Sequence, residues 1–74
     1  MTNLNYNLEP YRYIDEVTDE LFYIGVSNNG NSTDRPIWNI KKIEKIGTEW
    51  RVSFPEGKQQ FKFVWDERYL YDYK

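Results

Sequence analysis

The chain of 74 residues contains neither cysteine nor histidine. Without cysteine it can form no disulfide and no thiolate metal site. Without histidine it lacks the commonest metal ligand and the commonest general base of enzymes. The serines, Ser27, Ser32 and Ser53, have no obvious partner base in the sequence. We therefore expect that the protein is not an enzyme, binds no cofactor and has no small-molecule substrate.

Long apolar runs are also missing. No segment approaches the roughly 20 consecutive apolar residues that cross a membrane. The first ten residues, "MTNLNYNLEP", lack the basic region and apolar run of a secretory signal. The sequence therefore predicts a protein that is made in the cytoplasm and has no membrane partner.

Charge is present but unevenly distributed along the chain. Residues 1–34 carry six acidic and one basic side chain, which gives −5, whereas residues 35–74 carry nine basic and six acidic, which gives +3. The two parts can attract each other within one chain or between copies, or they can be two solvated surfaces. The net charge of −2 argues against a dedicated nucleic-acid binder, which usually has a strong basic excess.

Aromatic side chains are abundant, at 19% of the residues. Each one removes roughly 150–250 Å² from water when it is buried. A domain this small, without a disulfide, needs either an unusually dense core or a partner. The aromatic content can supply a core, a surface for a partner, or both.

Three short segments have the pattern of strands: the first carries apolar residues on both faces, and the other two alternate apolar and polar side chains, which is the period of a half-buried strand. They cover residues 21–27, 49–54 and 60–65. The last two flank Pro55-Glu56-Gly57-Lys58, which has the composition of a tight turn, so we expect them to pair as an antiparallel hairpin. Gly25, inside the first segment, indicates a bulge or a close approach of another part of the backbone.

Residues 37–46 allow two interpretations. Trp38 and Ile40 alternate as in a strand, whereas Ile40, Ile43 and Ile46 recur every third position, which is closer to a helix. A strand with one extra residue near Lys41 or Lys42 reconciles both patterns. Isoleucine and tryptophan favour this bulged strand, and a helix remains the alternative.

These elements predict an all-β domain over residues 21–74, a small antiparallel meander of four or five strands curled into a barrel or half-barrel. Residues 28–36 are predicted to form a polar loop. Residues 1–20 are predicted to form an extended N-terminal arm, in which Asp15 or Thr18 could cap a short helical turn, or the acidic run could be a turn before a strand. The expected core consists of Trp38, Ile40, Trp50, Val52, Phe54, Phe61, Phe63 and Trp65.

Two charged motifs have plain structural interpretations. In "WDER", residues 65–68, Asp66 can accept backbone N–H bonds of a turn, and Arg68 can pair with it or with a carbonyl. We interpret this motif as a structural clasp rather than a catalytic pair. The acidic run over residues 15–20 could hold a metal or an acid/base pair, but its spacing matches no calcium loop, so a solvated surface is the simpler interpretation.

Tyrosines alternate along the C-terminal tail and recur near the N-terminus. On an edge strand, alternating tyrosines make a flat surface of the kind that is enriched at protein interfaces. The tail, after a turn at residues 66–68, is therefore predicted to form a short final strand with an interface role. The predicted interface residues are Tyr69, Tyr71 and Tyr73 of the tail, and Tyr6, Tyr11 and Tyr13 of the arm. The loop over residues 28–34 is a further candidate.

Binding to nucleic acid by a small β-barrel is the alternative function. In that hypothesis Tyr23, Trp38, Trp50 and Phe61 stack on bases, while Lys41, Lys42, Lys45, Arg51 and Lys62 contact phosphates. The difficulty is that most of these aromatic residues belong to the predicted core.

Several short motifs occur in a characteristic order: "YIG" at 23–25, "WNIKKI" at 38–43, Trp50, Phe61, and "VWDER" at 64–68 followed by Leu70 and Tyr71. This pattern resembles a family of short proteins encoded by tailed bacteriophages, over about residues 22–71. The sequence departs from the family pattern between Trp50 and Phe61 and in the loop over residues 27–36.

The resemblance implies an accessory structural protein of a phage virion, in the tail, neck, fibre or capsid decoration. Its expected partners are other virion proteins and copies of itself. It would be made in the cytoplasm of the host bacterium and reside in the virion.

Overall fold

The computed structural model describes residues 11–74, which form an antiparallel sheet with the C-terminal segment folded over one of its faces. The strands are β1 (Tyr11–Thr18), β2 (Leu21–Ser27), β3 (Pro36–Ile46), β4 (Glu49–Ser53) and β5 (Phe63–Val64), and a 3-10 helix follows at Trp65–Glu67. The order is β1-β2-β3-β4, and β5 pairs with β3. The prediction of an all-β antiparallel meander is confirmed. Within residues 11–74 the sheet has edges at β1 and β4 and does not close into a barrel.

Part of the predicted arm belongs to the sheet. Residues 11–18 are strand β1, paired with β2 from Tyr11 opposite Ser27 to Thr18 opposite Leu21, with an irregularity between Glu16 and Thr18. Of the two alternatives for the acidic run, the helical turn is therefore wrong and the turn before a strand is confirmed, at residues 19–20 before β2. Thr18 instead stabilises the β1–β2 turn, because its hydroxyl accepts a hydrogen bond of 3.0 Å from the Glu20 amide. Residues 1–10 lie outside the described residues.

Strand β3 settles the ambiguity over residues 37–46. It is a strand, and its pairing with β2 and β4 runs without a shift from Asn39 to Ile46, so the predicted bulge near Lys41 is wrong. Ile40 is completely buried. Ile43 lies on the opposite face, three positions further along the strand. The spacing of three between isoleucines therefore reflects apolar residues on both faces of a flat strand rather than a helix.

The predicted hairpin between residues 49–54 and 60–65 is wrong, although the turn between them forms. Lys58 donates its amide to the Pro55 carbonyl at 2.9 Å, and φ is +54° at Glu56 and +73° at Gly57, as in a type I′ turn. Beyond this turn the chain does not return along β4. It crosses to β3, where Phe63 of β5 pairs with Trp38. Alternation grouped the apolar residues within each segment, but it did not show that Trp50 and Val52 lie on the opposite side of the sheet from Phe63, nor which strand each segment pairs with.

The core lies between the sheet and the C-terminal segment. Its buried members are Tyr23, Trp38, Ile40, Phe63 and Trp65. Trp38, Ile40, Phe63 and Trp65 agree with the predicted core, whereas Tyr23 is a core residue that the sequence did not predict. Phe54 is half-buried, whereas Trp50, Val52 and Phe61 are about half exposed, so these three are not core residues.

Gly25 explains how Trp65 reaches the sheet. An added β-carbon at Gly25 would lie 2.7 Å from the Cζ3 atom of Trp65 and 3.3 Å from the Cε3 atom of Trp38. Since only glycine leaves this space free, the indole of Trp65 packs directly on the β2 backbone. The pairing of β2 runs through Gly25 without a shift, so the predicted bulge is wrong; a close approach occurs, but by a side chain rather than by another part of the backbone.

Candidate functional site

The sheet has one face that is covered and one that is not. Opposite residues in antiparallel strands share a face, so the strand registers assign each side chain to one of the two. The covered face carries Tyr23, Trp38 and Ile40, beneath the C-terminal segment. We call the other side the open face. It consists of Arg12, Ile14, Glu16, Phe22, Ile24, Val26, Asn39, Lys41, Ile43, Lys45, Trp50 and Val52.

The open face has an apolar centre. Ile14 lies opposite Ile24, and Phe22 lies opposite Ile43, which in turn lies opposite Val52. Ile14 is 63% exposed, Trp50 51% and Val52 54%, while the other apolar residues of this face are half-buried. The rings of Phe22 and Trp50 lie 6.2 Å apart between centroids, tilted by 43°. These contacts join the apolar side chains into one continuous surface.

Cations surround this apolar centre. The open face carries Arg12, Lys41 and Lys45 against one acidic residue, Glu16, so its local charge is +2 in a chain whose net charge is −2. None of the ion pairs found within residues 11–74 involves these three cations.

Charged side chains on the covered side of the same strands behave differently. Lys42 pairs with Glu44 at 3.6 Å, and Arg51 pairs with Glu49 at 4.0 Å. The positive charge of the open face is therefore available to a partner, whereas that of the covered side is matched within the chain.

The edge of β1 is a second accessible feature. All of its side chains are exposed except that of Asp15, which is half-buried. On its outer side, the backbone groups of residues 11–17 make no hydrogen bond to other described parts of the chain. A groove of about 330 Å³ opens beside the middle of this strand. Its lining consists of Tyr13, Ile14, Asp15, Thr33, Trp65, Asp66 and Arg68.

A clasp holds the C-terminal segment against β1. Arg68 Nε donates to Asp15 Oδ2 at 2.9 Å, and the Tyr69 hydroxyl donates to the same carboxylate oxygen. The Arg68 guanidinium also lies over the Trp65 ring at 4.5 Å and donates to the Trp65 carbonyl at 3.0 Å. The clasp expected for Arg68 thus includes a carbonyl, as predicted, but its carboxylate is Asp15 rather than Asp66.

The clasp changes the acidity of its members. The hydrogen bond from Tyr69 lowers the pKa of Asp15, and the bond and charge of Arg68 act in the same direction, while partial desolvation opposes them. The same hydrogen bond raises the pKa of Tyr69. Asp15 is therefore ionised at neutral pH, which suits an electrostatic tie more than proton transfer.

Asp66 and the loop over residues 28–34 form a separate contact. The Asp66 amide donates to the Thr33 carbonyl at 3.0 Å, and the Thr33 hydroxyl donates to Asp66 Oδ2 at 3.1 Å. The indole N–H of Trp38 donates to the Ser32 carbonyl at 2.8 Å. This loop, predicted as a candidate partner site, is therefore tied at its C-terminal end to the core and to the 3-10 helix.

The C-terminal tyrosines do not form the expected strand. Residues 68–71 form a turn and a bend after the 3-10 helix, and Tyr73 makes only an isolated bridge with Pro55. Tyr71 packs edge-on against Phe63 at 5.0 Å, and Tyr73 packs edge-on against Tyr23 at 5.5 Å. These two side chains are half-buried and cover the core from its C-terminal side.

The hydroxyl groups of these tyrosines have partners within the chain. Tyr71 accepts from the Val64 amide at 2.8 Å, and Tyr73 donates to the Arg68 carbonyl at 2.7 Å. Burial raises the pKa of Tyr71 and, more strongly, that of Tyr73. Tyr69 is 58% exposed and remains accessible beside the clasp.

Of the predicted interface tyrosines near the N-terminus, Tyr11 and Tyr13 lie on β1. Tyr11 is 50% exposed, and Tyr13, 38% exposed, stacks on Trp38 at 5.2 Å between ring centroids. Tyr6 lies outside the described residues. An interface role of the tyrosines stays a prediction, and the structure brings Tyr11, Tyr13 and Tyr69 to the accessible surface.

The open face itself was not predicted as a site. Its signal was present in the second apolar stripe of residues 21–27, namely Phe22, Ile24 and Val26. A strand that is apolar on both faces needs cover on both. The sequence could not show that the described chain covers only one of them.

Among residues 11–74, no group of three or more acidic side chains is placed to hold a metal ion. The same part of the chain contains no helix long and apolar enough to cross a membrane. Comparison of the chain with protein-family models, with curated protein sequences and with solved structures finds no match.

Proposed function

We propose that the protein is an accessory structural component of a tailed-phage virion, in the tail, neck, fibre or capsid decoration, and that it acts by protein–protein contact. The observation that carries the proposal is the open face. Soluble monomers rarely expose a continuous apolar surface of this kind unless it binds something. An exposed tryptophan at its edge, Trp50, is the residue type that most often dominates the binding energy of an interface.

The charge of the open face indicates the kind of protein surface that fits it. Arg12, Lys41 and Lys45 surround apolar side chains and have no ion-pair partner within the described residues. The fitting partner is a second virion protein whose contact surface is apolar at its centre and acidic at its rim. Such a surface covers Trp50 and Val52 and neutralises the cations around them.

The resemblance to short phage proteins supplies the type of assembly. Its motif residues fall on both faces of the sheet. Trp38 and Trp65 belong to the core, whereas Ile24, Ile43 and Trp50 belong to the open face. The pattern is thus compatible with a family that retains a docking surface together with a fold.

The test is mass spectrometry of particles purified from a host culture that carries the gene. We expect the wild-type protein to copurify with the particles in a fixed ratio to the major capsid protein. The double variant Trp50→Ser with Val52→Ser removes two of the three most exposed apolar side chains of the open face and is expected to be made but lost from the particles. Phe61→Ser is the matched control, because Phe61 is 46% exposed but lies outside the sheet.

Two results would contradict the proposal. A wild-type protein that accumulates in the cell but is absent from purified particles is not a virion component. Equal incorporation of the double variant and the wild type means that the open face is not the docking surface.

Binding of single-stranded nucleic acid to the open face is the second candidate function. Phe22 and Trp50 offer adjacent rings for base stacking, with Lys41 and Lys45 on the same face for phosphates. Of the aromatic residues that the sequence suggests for base stacking, Tyr23 and Trp38 are buried and therefore unsuitable.

Salt dependence distinguishes the two functions. Fluorescence anisotropy of a labelled oligothymidine would show binding that weakens steeply as salt rises and disappears in the double variant Lys41→Glu with Lys45→Glu. Absence of binding at low salt would reject this candidate and leave the protein interface.

A further inference from the structure

Within residues 11–74, strand β1 is an uncovered edge of the sheet. Eight residues long, it pairs only with β2, and the outer backbone groups of residues 11–17 have no hydrogen-bond partner within residues 11–74. Natural edge strands are usually blocked by proline, lysine, a bulge or a covering segment. Residues 11–18 contain neither proline nor lysine, and the irregularity between Glu16 and Thr18 leaves residues 11–16 in regular pairing.

The charges on this edge are arranged symmetrically about Ile14. On the open face, Arg12 precedes Ile14 by two residues and Glu16 follows it by two. In an antiparallel pair of identical strands centred on Ile14, each Arg12 lies directly opposite Glu16 of the second copy. Such opposite charges on directly opposed residues stabilise strand pairing.

We propose that the protein forms a two-fold dimer in which β1 pairs antiparallel with β1 of a second copy, with the axis at Ile14. Ile14 then faces its own symmetry mate, and two Arg12–Glu16 pairs flank this apolar contact. On the other side of the ribbon, Tyr13 lies opposite Asp15 and Tyr11 opposite Val17. The predicted interface residues Tyr11 and Tyr13 thus belong to this contact.

Other registers are less favourable. An axis at Arg12 or at Glu16 places identical charges opposite each other. An axis at Asp15 places the two Asp15 carboxylates opposite each other, although each is already hydrogen-bonded to Arg68 and Tyr69 of its own chain. An axis at Tyr13 leaves Arg12 opposite Ile14, without an ion pair. Among these five centres, only the one at Ile14 pairs opposite charges twice.

The dimer joins two sheets into a single sheet of eight principal strands. Because the axis is perpendicular to the sheet, both open faces lie on the same side and form one extended surface. The inference supplies a self-contact for the proposed structural role, but it concerns the free protein and does not depend on incorporation into a virion. The dimer and the virion role can therefore fail independently.

The first test is the molar mass of the full chain by light scattering after size exclusion, over a wide range of concentrations. The monomer mass is 9.1 kDa, and we expect a concentration-dependent species of twice that value. Arg12→Glu alone places an acidic residue opposite an acidic residue at both flanking positions, and Glu16→Arg alone places a basic residue opposite a basic residue at both. Each substitution is expected to raise the dissociation constant of the dimer by about tenfold or more.

Mixing provides the sharpest result. In an equimolar mixture of Arg12→Glu and Glu16→Arg chains, both flanking positions carry opposite charges again, so a heterodimer should form where neither variant dimerises alone. The double variant, with both substitutions in one chain, should dimerise like the wild type. Lys45→Glu changes a cation of the open face that lies on β3, and is expected to leave the dimer unchanged.

Cross-linking locates the axis. The chain has no cysteine, so a single introduced one is the only thiol. Ile14→Cys places two thiols at directly opposed positions, where β-carbons lie about 4.5–5.5 Å apart, and mild oxidation should give a covalent dimer. Val17→Cys is the matched control on the same edge, because its two thiols would be separated by about 20 Å along the ribbon.

Three results would overturn the inference. The first is a wild-type chain that remains monomeric at every concentration, which means that something else covers the β1 edge. The second is an oligomer whose molar mass and concentration dependence are unchanged by Arg12→Glu and by Glu16→Arg. The third is cross-linking at Val17 with none at Ile14, which places the contact in another register or on another surface. A wild-type chain that is monomeric in solution but enters particles normally would reject the dimer and leave the virion role. A wild-type chain that dimerises as predicted but is absent from particles would reject the virion role and leave the dimer.

Discussion

The two faces of one sheet carry similar side chains but have different roles. On the covered face Trp38 is completely buried and its indole N–H is hydrogen-bonded to Ser32. On the open face Trp50 is half exposed, and Phe22 is the only aromatic residue of 11–74 whose ring packs against its own. The difference arises from the C-terminal segment, which supplies Phe63, Trp65 and Tyr73 to one face and nothing to the other. Apolar alternation in a strand therefore identifies a face that needs cover, but not the molecule that provides it.

Replacing the tryptophans separates the two faces most clearly. We expect Trp38→Ala to destabilise the domain by about 3–5 kcal/mol, because it leaves a large cavity in a small core and removes the hydrogen bond from the indole to Ser32. Trp50→Ala should change stability by less than about 1 kcal/mol, since half of that side chain is already in water. Urea unfolding followed by circular dichroism measures both.

Similar losses for the two tryptophan variants would contradict the comparison, because they would show that the open face is covered in the free protein. A Trp38→Ala chain too unstable to purify would still be informative beside a well-folded Trp50→Ala chain. Trp38→Phe then provides a milder variant in which the free energy of unfolding can be measured.

The C-terminal tyrosines test how the cover is held in place. If the C-terminal tyrosines form an interface, as the sequence predicts, Tyr71→Ala with Tyr73→Ala leaves the fold intact and abolishes assembly. The structure predicts a destabilisation of about 2 kcal/mol or more, because both rings pack on the core and both hydroxyls are hydrogen-bonded within the chain. Tyr11→Ala, half exposed on β1, is the control that should leave stability nearly unchanged.

A stable double variant that no longer dimerises or enters particles would restore these tyrosines as an interface. The urea midpoint and the molar mass, measured on the same samples, distinguish the two outcomes. Tyr71→Phe and Tyr73→Phe, which keep the rings, should each lose only the hydrogen bond, at a cost of about 1 kcal/mol.

The clasp gives the smallest expected effect and a pH dependence. Because the pKa of Asp15 is lowered in the folded state from its ordinary value of 3.8, its contribution to stability is complete above that value. The contribution is lost as the pH falls through the lowered pKa. Asp15→Asn should therefore be slightly less stable at pH 6, and its urea midpoint should fall less between pH 5 and pH 2.5 than that of the wild type. Asp19→Asn, in the exposed β1–β2 turn, should retain the wild-type slope.

The local features of this fold could be predicted from the sequence, and the long-range ones could not. The strand pattern of residues 21–27 and the turn composition of residues 55–58 are short-range signals, and both elements formed as expected. The pairing of Phe63 with Trp38 joins residues 25 positions apart, and nothing in either segment distinguishes this partner from β4.

Of the candidate site, too, only the part that depends on local sequence could be predicted. The tyrosines of β1 could be proposed from their spacing. The open face depends on Trp50 and Val52 being left without cover, which follows only from the course of the chain after Pro55.

The order of the chain also has a consequence for folding. Strands β1 to β4 lie within residues 11–53, whereas Phe63, Trp65, Tyr71 and Tyr73, which pack on the covered face, come from the residues that follow. Until these later residues dock, a sheet formed by the first four strands exposes apolar side chains on both sides. Exposed strands of this kind aggregate easily. We expect the cations Arg12, Lys41 and Lys45, placed among the apolar residues of the side that receives no cover from residues 54–74, to act as gatekeepers against this aggregation.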